Sequence, residues 1–449
     1  MGAKTRKLGN SQGLDVQWQA PLNADGSTVY NLKAGEGYFL NTTGGVIEVV
    51  LPSSPSLGDT ISIVDYAGTF GTNDCIINTS GEKLGGLNRN IGLQTNDTRI
   101  TLVYADDTNG WVSIENEAKS DPTADPYTAT YYAATGGTIT TSGNFKVHVF
   151  TGDGCFVVSA AAKNLPTAES QVDYMVVAGG AGGGGNTQPG AGGGGGGAGG
   201  FRVSNALGLP GPTTSPLASP TGFTFAAGTY PVTVGGGGAG GGPQQAAVPG
   251  SDSAVSTITS TGGGRGSSNG PAIPTPINGA ARNEGAPGGS GGGGSHGESA
   301  GGTGNTPPVS PPQGNSGGTG GPTQPSFAGA GGGGAGAASD DATTTATVGG
   351  VGSFVSPSLA VDCAGTSGPV SSTRYFSGGG GGSSQPNPSG NRPGGSGGGG
   401  TGGVGSPAPG TAGSANTGGG GGGGGGNNAA TGGAGGKGIV ILRYKFQTS

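Results

Sequence analysis

Residues 172–185 read VDYMVVAGGAGGGG. An apolar strand runs without any intervening turn into a tract of glycine. Near the other end, residues 436–446 read GKGIVILRYKF, where glycine gives way to a second strand of branched aliphatics. Runs of Val, Ile, Tyr and Phe of this length are the usual mark of a β-strand. The economical reading puts Tyr174–Val177 and Ile439–Tyr444 in one sheet. Everything between them is then an insertion looped out from that sheet.

The insertion is unlike the rest of the chain. Of 112 glycines in 449 residues, 90 fall in residues 178–437, whereas only 12 of the 42 charged residues do. The tracts are irregular, from GGAGG to nine successive glycines at 418–426. Collagen is excluded because it needs a strict Gly-X-Y period. A flexible linker has no need of the spacers FTFAAGTYPVTV (223–234), AVSTITS (254–260) or GSFVSPSLAVD (352–362). The remaining option is a bundle of polyglycine helices of the polyproline-II type, with three residues per turn and a rise of about 3.1 Å. Backbone groups of such a helix point sideways, so neighbours can satisfy one another as buried polar groups require. A helix enclosed on all sides should be pure glycine, and the run at 418–426 is the candidate. An outer helix can carry Ala, Ser or Thr.

Outside the insertion the chain reads as all-β, with essentially no α-helix. In residues 1–118, YFLNTTGGVIEVVLP (38–52) gives two strands about a turn at Gly44-Gly45, DTISIVDYAG (59–68) alternates around Ile61 and Ile63, and RITLVYADDTNGWVSIEN (99–116) is a hairpin about Asn109-Gly110. The polar stretch before Leu22, anchored by Trp18, reads as an arm that orders on a partner. KSDPTADPY (119–127) is a linker. Residues 128–177 form a β scaffold, 178–437 the glycine bundle and 438–449 the closing strand of that scaffold.

Composition narrows the function. A net charge of −6 spread over 449 residues offers no basic patch for nucleic acid. No apolar run reaches the length of a membrane span, and MGAKTRKLGN lacks the apolar core of a signal peptide. Its MGAKTR start fits only the bare, weak myristoylation pattern. Cys75, Cys155 and Cys363 are spaced for neither a disulfide framework nor a metal site. His148 lies in the strand FKVHVF and His296 in GGSHGES, with no partners that would complete a triad. TGGAGGKGI (431–439) is followed by a strand where a phosphate loop needs a helix, and DDTNG (106–110) lacks the terminal Glu of a calcium loop. No enzyme, cofactor or metal is expected.

Aromatic, proline and arginine residues of the insertion lie in the spacers, and loops on a rigid scaffold are where binding concentrates. The candidate contacts are Arg265, Ile273, Ile277 and Arg282 in 265–285, Phe327, and Tyr375 and Phe376 in 372–378, with the proline-rich 305–314 as a further loop.

The phrases ITTSGNFKVHVFTGDGCFVV, VDYMVVAGGAGGGG, GGAGGFR, YPVTVGGGGAGG and GGAGGKGIVILRYKF together resemble the glycine-rich domain of bacteriophage tail fibres and tail adhesins. They are most similar to those of phages of marine bacteria and cyanobacteria. The resemblance covers about 128–446. It implies a virion protein, assembled in the host cytoplasm, whose glycine-domain loops meet a host cell-surface glycan or outer-membrane protein. By position, residues 1–118 would attach it to other tail or virion proteins. Such fibres are commonly trimers, so a homotrimeric base under a single-chain tip is compatible with it. The alternatives are a purely structural virion component (head fibre, collar or tail decoration), an ice-binding polyglycine protein, and a depolymerase, for which no catalytic carboxylate pair is recognisable.

Overall fold

A computed structural model describes residues 16–25, 28–116, 130–163, 165, 167–186, 191–209, 214–242, 245–268, 283–324, 327–361, 364–384, 392–405, 407–426 and 429–447. Every regular element among them is a β-strand. The chain divides into two compact units: residues 1–131 with 162–170, and residues 132–161 with 171–449. The linker expected at 119–127 lies outside the described residues.

Unit 1 holds strands β1 (Gln17–Trp18), β2 (Leu22–Asn23), β3 (Val29–Asn31), β4 (Glu36–Asn41), β5 (Ile47–Val50), β6 (Thr60–Asp65), β7 (Cys75–Asn78), β8 (Ile91–Leu93), β9 (Arg99–Asp106) and β10 (Gly110–Asn116). One sheet runs β1-β4-β6-β9-β10 with β2 also on β4, and the second runs β3-β5-β7-β8. The turn at Gly44-Gly45 does not close a hairpin. β4 and β5 belong to different sheets, and each pairs in parallel, β4 with β6 and β5 with both β3 and β7. Parallel neighbours need a crossover, and here a strand of the opposite sheet supplies it. The Asn109-Gly110 hairpin of β9 and β10 forms as its sequence requires. Alternation places Tyr38, Leu40, Ile61, Ile63, Ile100, Leu102 and Trp111 in a single core with Ile47, Val49, Cys75 and Ile77.

The residues before Leu22 that the structure describes need no partner to be ordered. Gln17 and Gln19 donate their N–H groups to the carbonyls of Gly35 and Gly37. The Trp18 ring stacks on Phe39 at 4.7 Å. For 16–21 the backbone of the same unit thus supplies what the sequence assigned to another molecule; residues 1–15 of that arm lie outside the described residues.

Unit 2 holds β11 (Ala133–Thr135), β12 (Thr138–Ser142), β13 (Phe145–Phe150), β14 (Gly154–Ala160), β15 (Asp173–Val177), β16 (Phe201–Ser204), β17 (Ala218–Ser219), β18 (Gly228–Thr233), β19 (Ser253–Val255), β20 (Ile258–Ser260), β21 (Ser353–Val355), β22 (Arg374–Phe376) and β23 (Ile439–Lys445). The central sheet runs β12-β13-β23-β15-β16-β17, a second runs β11-β14-β18-β19-β20, and β21 pairs with β22. β15 and β23 are antiparallel neighbours, Val177 opposite Ile439 and Asp173 opposite Arg443. Both strands are covered on each face, which is why their sequences are apolar without alternation. Met175, Val177, Ile439 and Ile441 pack with Phe201, Leu359 and Phe376.

From Ala178 onward the chain leaves the sheet, and its hydrogen bonds recur every third residue. In 178–186, Gly179 and Gly182 donate to Ser251 and Val248, Gly180 and Gly183 to Gly436 and Gly433, and Ala181 and Gly184 to Gly197 and Gly194. The carbonyls of the same tract accept in threes as well, from Gly263 and Gly266, Gly238 and Gly241, and Gly421 and Gly424. One tract therefore has six neighbours, three that it donates to and three that it accepts from. A period of three is that of a polyproline-II-type chain, and no strand or α-helix produces it.

The nine glycines at 418–426 are buried throughout. They donate to Gly378 and Gly381, Ala181 and Gly184, and Thr411 and Ala408, and accept from Gly193 and Gly196, Gly433 and Gly436, and Gly400 and Gly403. A Cβ at Gly419, Gly420 or Gly421 would stand 2.0–2.1 Å from a neighbouring carbonyl oxygen. Purity is not required of every enclosed tract, however. Ala181 and Ala198, on tracts with six neighbours, are each 0% exposed, so single methyls are admitted.

Candidate functional site

Tracts alternate in direction, so the bundle has two ends. One end is fixed to the sheets. There Val177 leads into Ala178, Gly200 into Phe201, and the Phe201 N–H donates to the Gln313 carbonyl. At the outer end, Asn186 Nδ2 donates to the carbonyls of Ala191 and Gly426, and Ser383 Oγ donates to those of Gly193 and Gly424. The Gly185 N–H donates to Ser268 Oγ at the same level.

The loops that the sequence grouped together fall on opposite ends. Segment 305–314 is at the sheet end. Asn305 Oδ1 accepts from the N–H groups of Val309 and Gln313, and the Gln313 side chain bonds the Thr261 N–H and the Pro307 carbonyl. Segment 372–378 is at the sheet end too. Phe376 is 0% exposed in the core beside Met175. Tyr375 packs on Phe354 at 5.4 Å, and its hydroxyl accepts from the Val370 N–H. Both aromatics were expected as surface contacts, and both are core residues, because β21 and β22 fold over the sheet and need an apolar face.

Arg265 is corrected in the same way. Its side chain is wholly buried on tract 261–268, and Nη1 donates to the Glu284 carbonyl at 3.2 Å. Burial pulls its pKa down against the favourable charge of Glu284. It fastens the returning tract and presents nothing to a receptor. Ile273, Ile277 and Arg282 lie outside the described residues.

Phe327 is the remaining candidate and is at the outer end. It is half-buried, has a left-handed backbone (φ 45°), and meets His296 edge to face at 5.4 Å. The His296 ring is bonded to the Gly192 backbone, and burial lowers its pKa. Phe327 and His296 are 31 residues apart, and no sequence period links them. The glycine lattice brings the His296 turn beside the tract before Phe327, through the N–H groups of Gly297 and Glu298 on the Gly321 carbonyl.

His148 is a packing residue. Its Nδ1–H donates to the Gly136 carbonyl at 2.7 Å, which leaves Nε2 to accept the Tyr444 hydroxyl at 3.1 Å. Phe156 closes it edge-on at 5.1 Å. Desolvation lowers its pKa, so the ring is neutral and sealed. A groove of about 600 Å³ at the sheet end is lined by Thr138, Val149, Thr366, Asn416 and Ile439 among others, none of them titratable. Among the described residues no group of three or more His, Cys, Asp and Glu could hold a metal ion. Nor is any helix among the described residues long and apolar enough to cross a membrane.

A family model described as a glycine-rich domain matches residues 157–445, from within β14 to the last residue of β23. No curated protein matches the chain.

Proposed function

Because the chain belongs to the glycine-rich domain family, we propose that it is a non-enzymatic phage virion protein, a tail fibre or adhesin, that attaches through residues 1–118 and meets the host surface at the outer end of its bundle. The observation that carries this reading is the six-neighbour hydrogen-bond lattice. It holds the outer turns on a rigid body whose other end is closed by sheets. Rigid support lowers the ordering cost of binding. The Phe327–His296 pair is the described aromatic feature at that end. The partner is a cell-surface glycan or an outer-membrane protein.

A purely structural virion role is the second reading. It is favoured by Arg265, Tyr375 and Phe376, whose side chains serve packing rather than the surface. Purified protein added to host cells ahead of phage separates the two. An adhesin should lower the adsorption rate in proportion to its occupancy of the cells. Unchanged adsorption at saturating protein, with immunogold label on the capsid rather than a tail tip, would sink the adhesin reading.

A further inference from the structure

On the outer face of the larger sheet of unit 1, register sets two rows of residues. Trp18, Gly37, Ser62 and Thr101 are successive cross-strand partners in one row, and Phe39, Val64 and Arg99 in the next. Their neighbours Tyr38, Ile61, Ile63 and Leu102 point the other way, into the core. The indole of Trp18 packs over Gly37, where a Cβ would be 2.7 Å from its Cε3. It stacks on Phe39, and Tyr66 meets Phe39 edge-on at 6.3 Å.

The result is a trench. Trp18, backed by Phe39, forms an aromatic wall on one side. Ser62, Val64 and Thr101 form a low floor, and Arg99 stands two strands away, about 10 Å across at the usual strand spacing. The trench encloses about 250 Å³. Trp18 is 48% exposed and Tyr66 58%. Among the described residues no hydrogen bond or ion pair engages the Arg99 guanidinium. Ser62 Oγ and Thr101 Oγ1 are 3.0 Å apart. They share one hydrogen between them, which leaves one O–H and several lone pairs for a third party.

We propose that this trench binds an acidic sugar residue. Each part of it matches one part of such a ligand. The aromatic wall takes the C–H face of a pyranose ring, the paired hydroxyls take ring hydroxyls, and the Arg99 fork takes a carboxylate or sulfate. A neutral sugar leaves Arg99 unused. An acidic peptide uses Arg99 but offers few hydroxyls to the Ser62–Thr101 pair. The inference concerns unit 1 and stands whether or not the protein belongs to a phage.

The chain has two tryptophans, and Trp111 is 0% exposed, so a fluorescence titration of the full chain reads Trp18. Trigalacturonic acid and a heparin tetrasaccharide are the probes. At least one should give a saturable change. Arg99→Gln should weaken that binding about tenfold or more, the worth of a charge-assisted hydrogen bond, and Arg99→Lys should recover part of the loss. Methyl-esterified trigalacturonate should bind the wild type no better than trigalacturonate binds Arg99→Gln. Thermal unfolding of Arg99→Gln should match the wild type. The proposal is overturned if neither probe moves the signal, if Arg99→Gln binds like the wild type, or if a polyglutamate peptide competes as well as the sugars and so assigns the face to a protein.

Discussion

Arg443 and Asp173 are 270 residues apart in sequence and face each other on adjacent strands, with Nη1 3.4 Å from Oδ2 and both side chains nearly fully buried. They are the two ends of the glycine insertion, held together. Asp173 also accepts from Ser204 Oγ and from the N–H groups of Ala206 and Leu207, and the Arg443 guanidinium lies 3.8 Å over the Phe145 ring. Removing one partner leaves the other charge buried and alone, which costs about 3–5 kcal/mol. Arg443→Met should therefore lower stability by roughly that amount in a denaturant titration. Arg443→Met with Asp173→Asn should recover part of it. A single mutant as stable as the wild type would mean that the pair does not clamp the insertion.

Two glycines of similar sequence context should behave oppositely. A Cβ at Gly422 would lie 2.0 Å from the Thr401 carbonyl oxygen, whereas one at Gly236 meets nothing within 4 Å. Gly422→Ala forces the lattice apart and should cost at least the 1–3 kcal/mol typical of an overpacked core. Gly422→Val should abolish the folded bundle. Gly236→Ala should be neutral or stabilise by about 0.4–1 kcal/mol, since alanine restricts the unfolded chain. Urea midpoints of the variants read the contrast directly, and equal midpoints would refute the enclosed lattice.

How much of this was legible beforehand depends on the period of the signal. The pairing of β15 with β23 was readable because Val176, Val177, Val440 and Ile441 form unbroken apolar runs, which only a strand covered on both faces requires. The enclosure of 418–426 was readable because no Cβ interrupts it. The parallel pairing of β4 and β5 with other strands was not readable, because a Gly-Gly turn between two alternating runs looks the same whether the chain returns to one sheet or crosses to the other. Tyr375 and Phe376 were misplaced for a related reason. An aromatic pair between glycine tracts marks a turn, but which end of the bundle that turn occupies is a matter of tract parity over the whole insertion. The Trp18–Arg99 trench depends on three register relations at once, and no local pattern encodes them.

Stability should fall in mild acid through the histidines. Burial lowers the pKa of His148, with Lys146 adding to the effect, and burial lowers that of His296. A depressed folded-state value means that the unfolded chain takes the proton more readily. The contribution is therefore fully present above the unfolded value of about 6.5 and is lost as pH falls below it. Each histidine adds a slope of up to about 1.4 kcal/mol per pH unit in that range. His148→Gln should remove one such slope just below pH 6.5 while costing some stability at pH 8, because the bonds to Gly136 and Tyr444 are remade imperfectly. Urea midpoints with the same pH dependence in wild type and variant would exclude His148 as a source.

The outer end is best tested at Phe327. Its ring edge meets His296, an aromatic contact worth about 0.5–1.5 kcal/mol, so Phe327→Ala should unfold only slightly below the wild type. If the outer end engages the host, the same substitution removes a half-buried aromatic anchor, and such anchors commonly cost 2 kcal/mol or more on truncation. Competition by the variant for phage adsorption should then need roughly thirtyfold more protein. Tyr375→Phe at the sheet end supplies the control. It deletes only the hydroxyl that accepts from Val370, so it should reduce stability by about 1 kcal/mol and leave competition unchanged once the protein is folded. Equal competition by the Phe327 variant and the wild type, with both folded, would remove the described outer aromatic pair from the host contact.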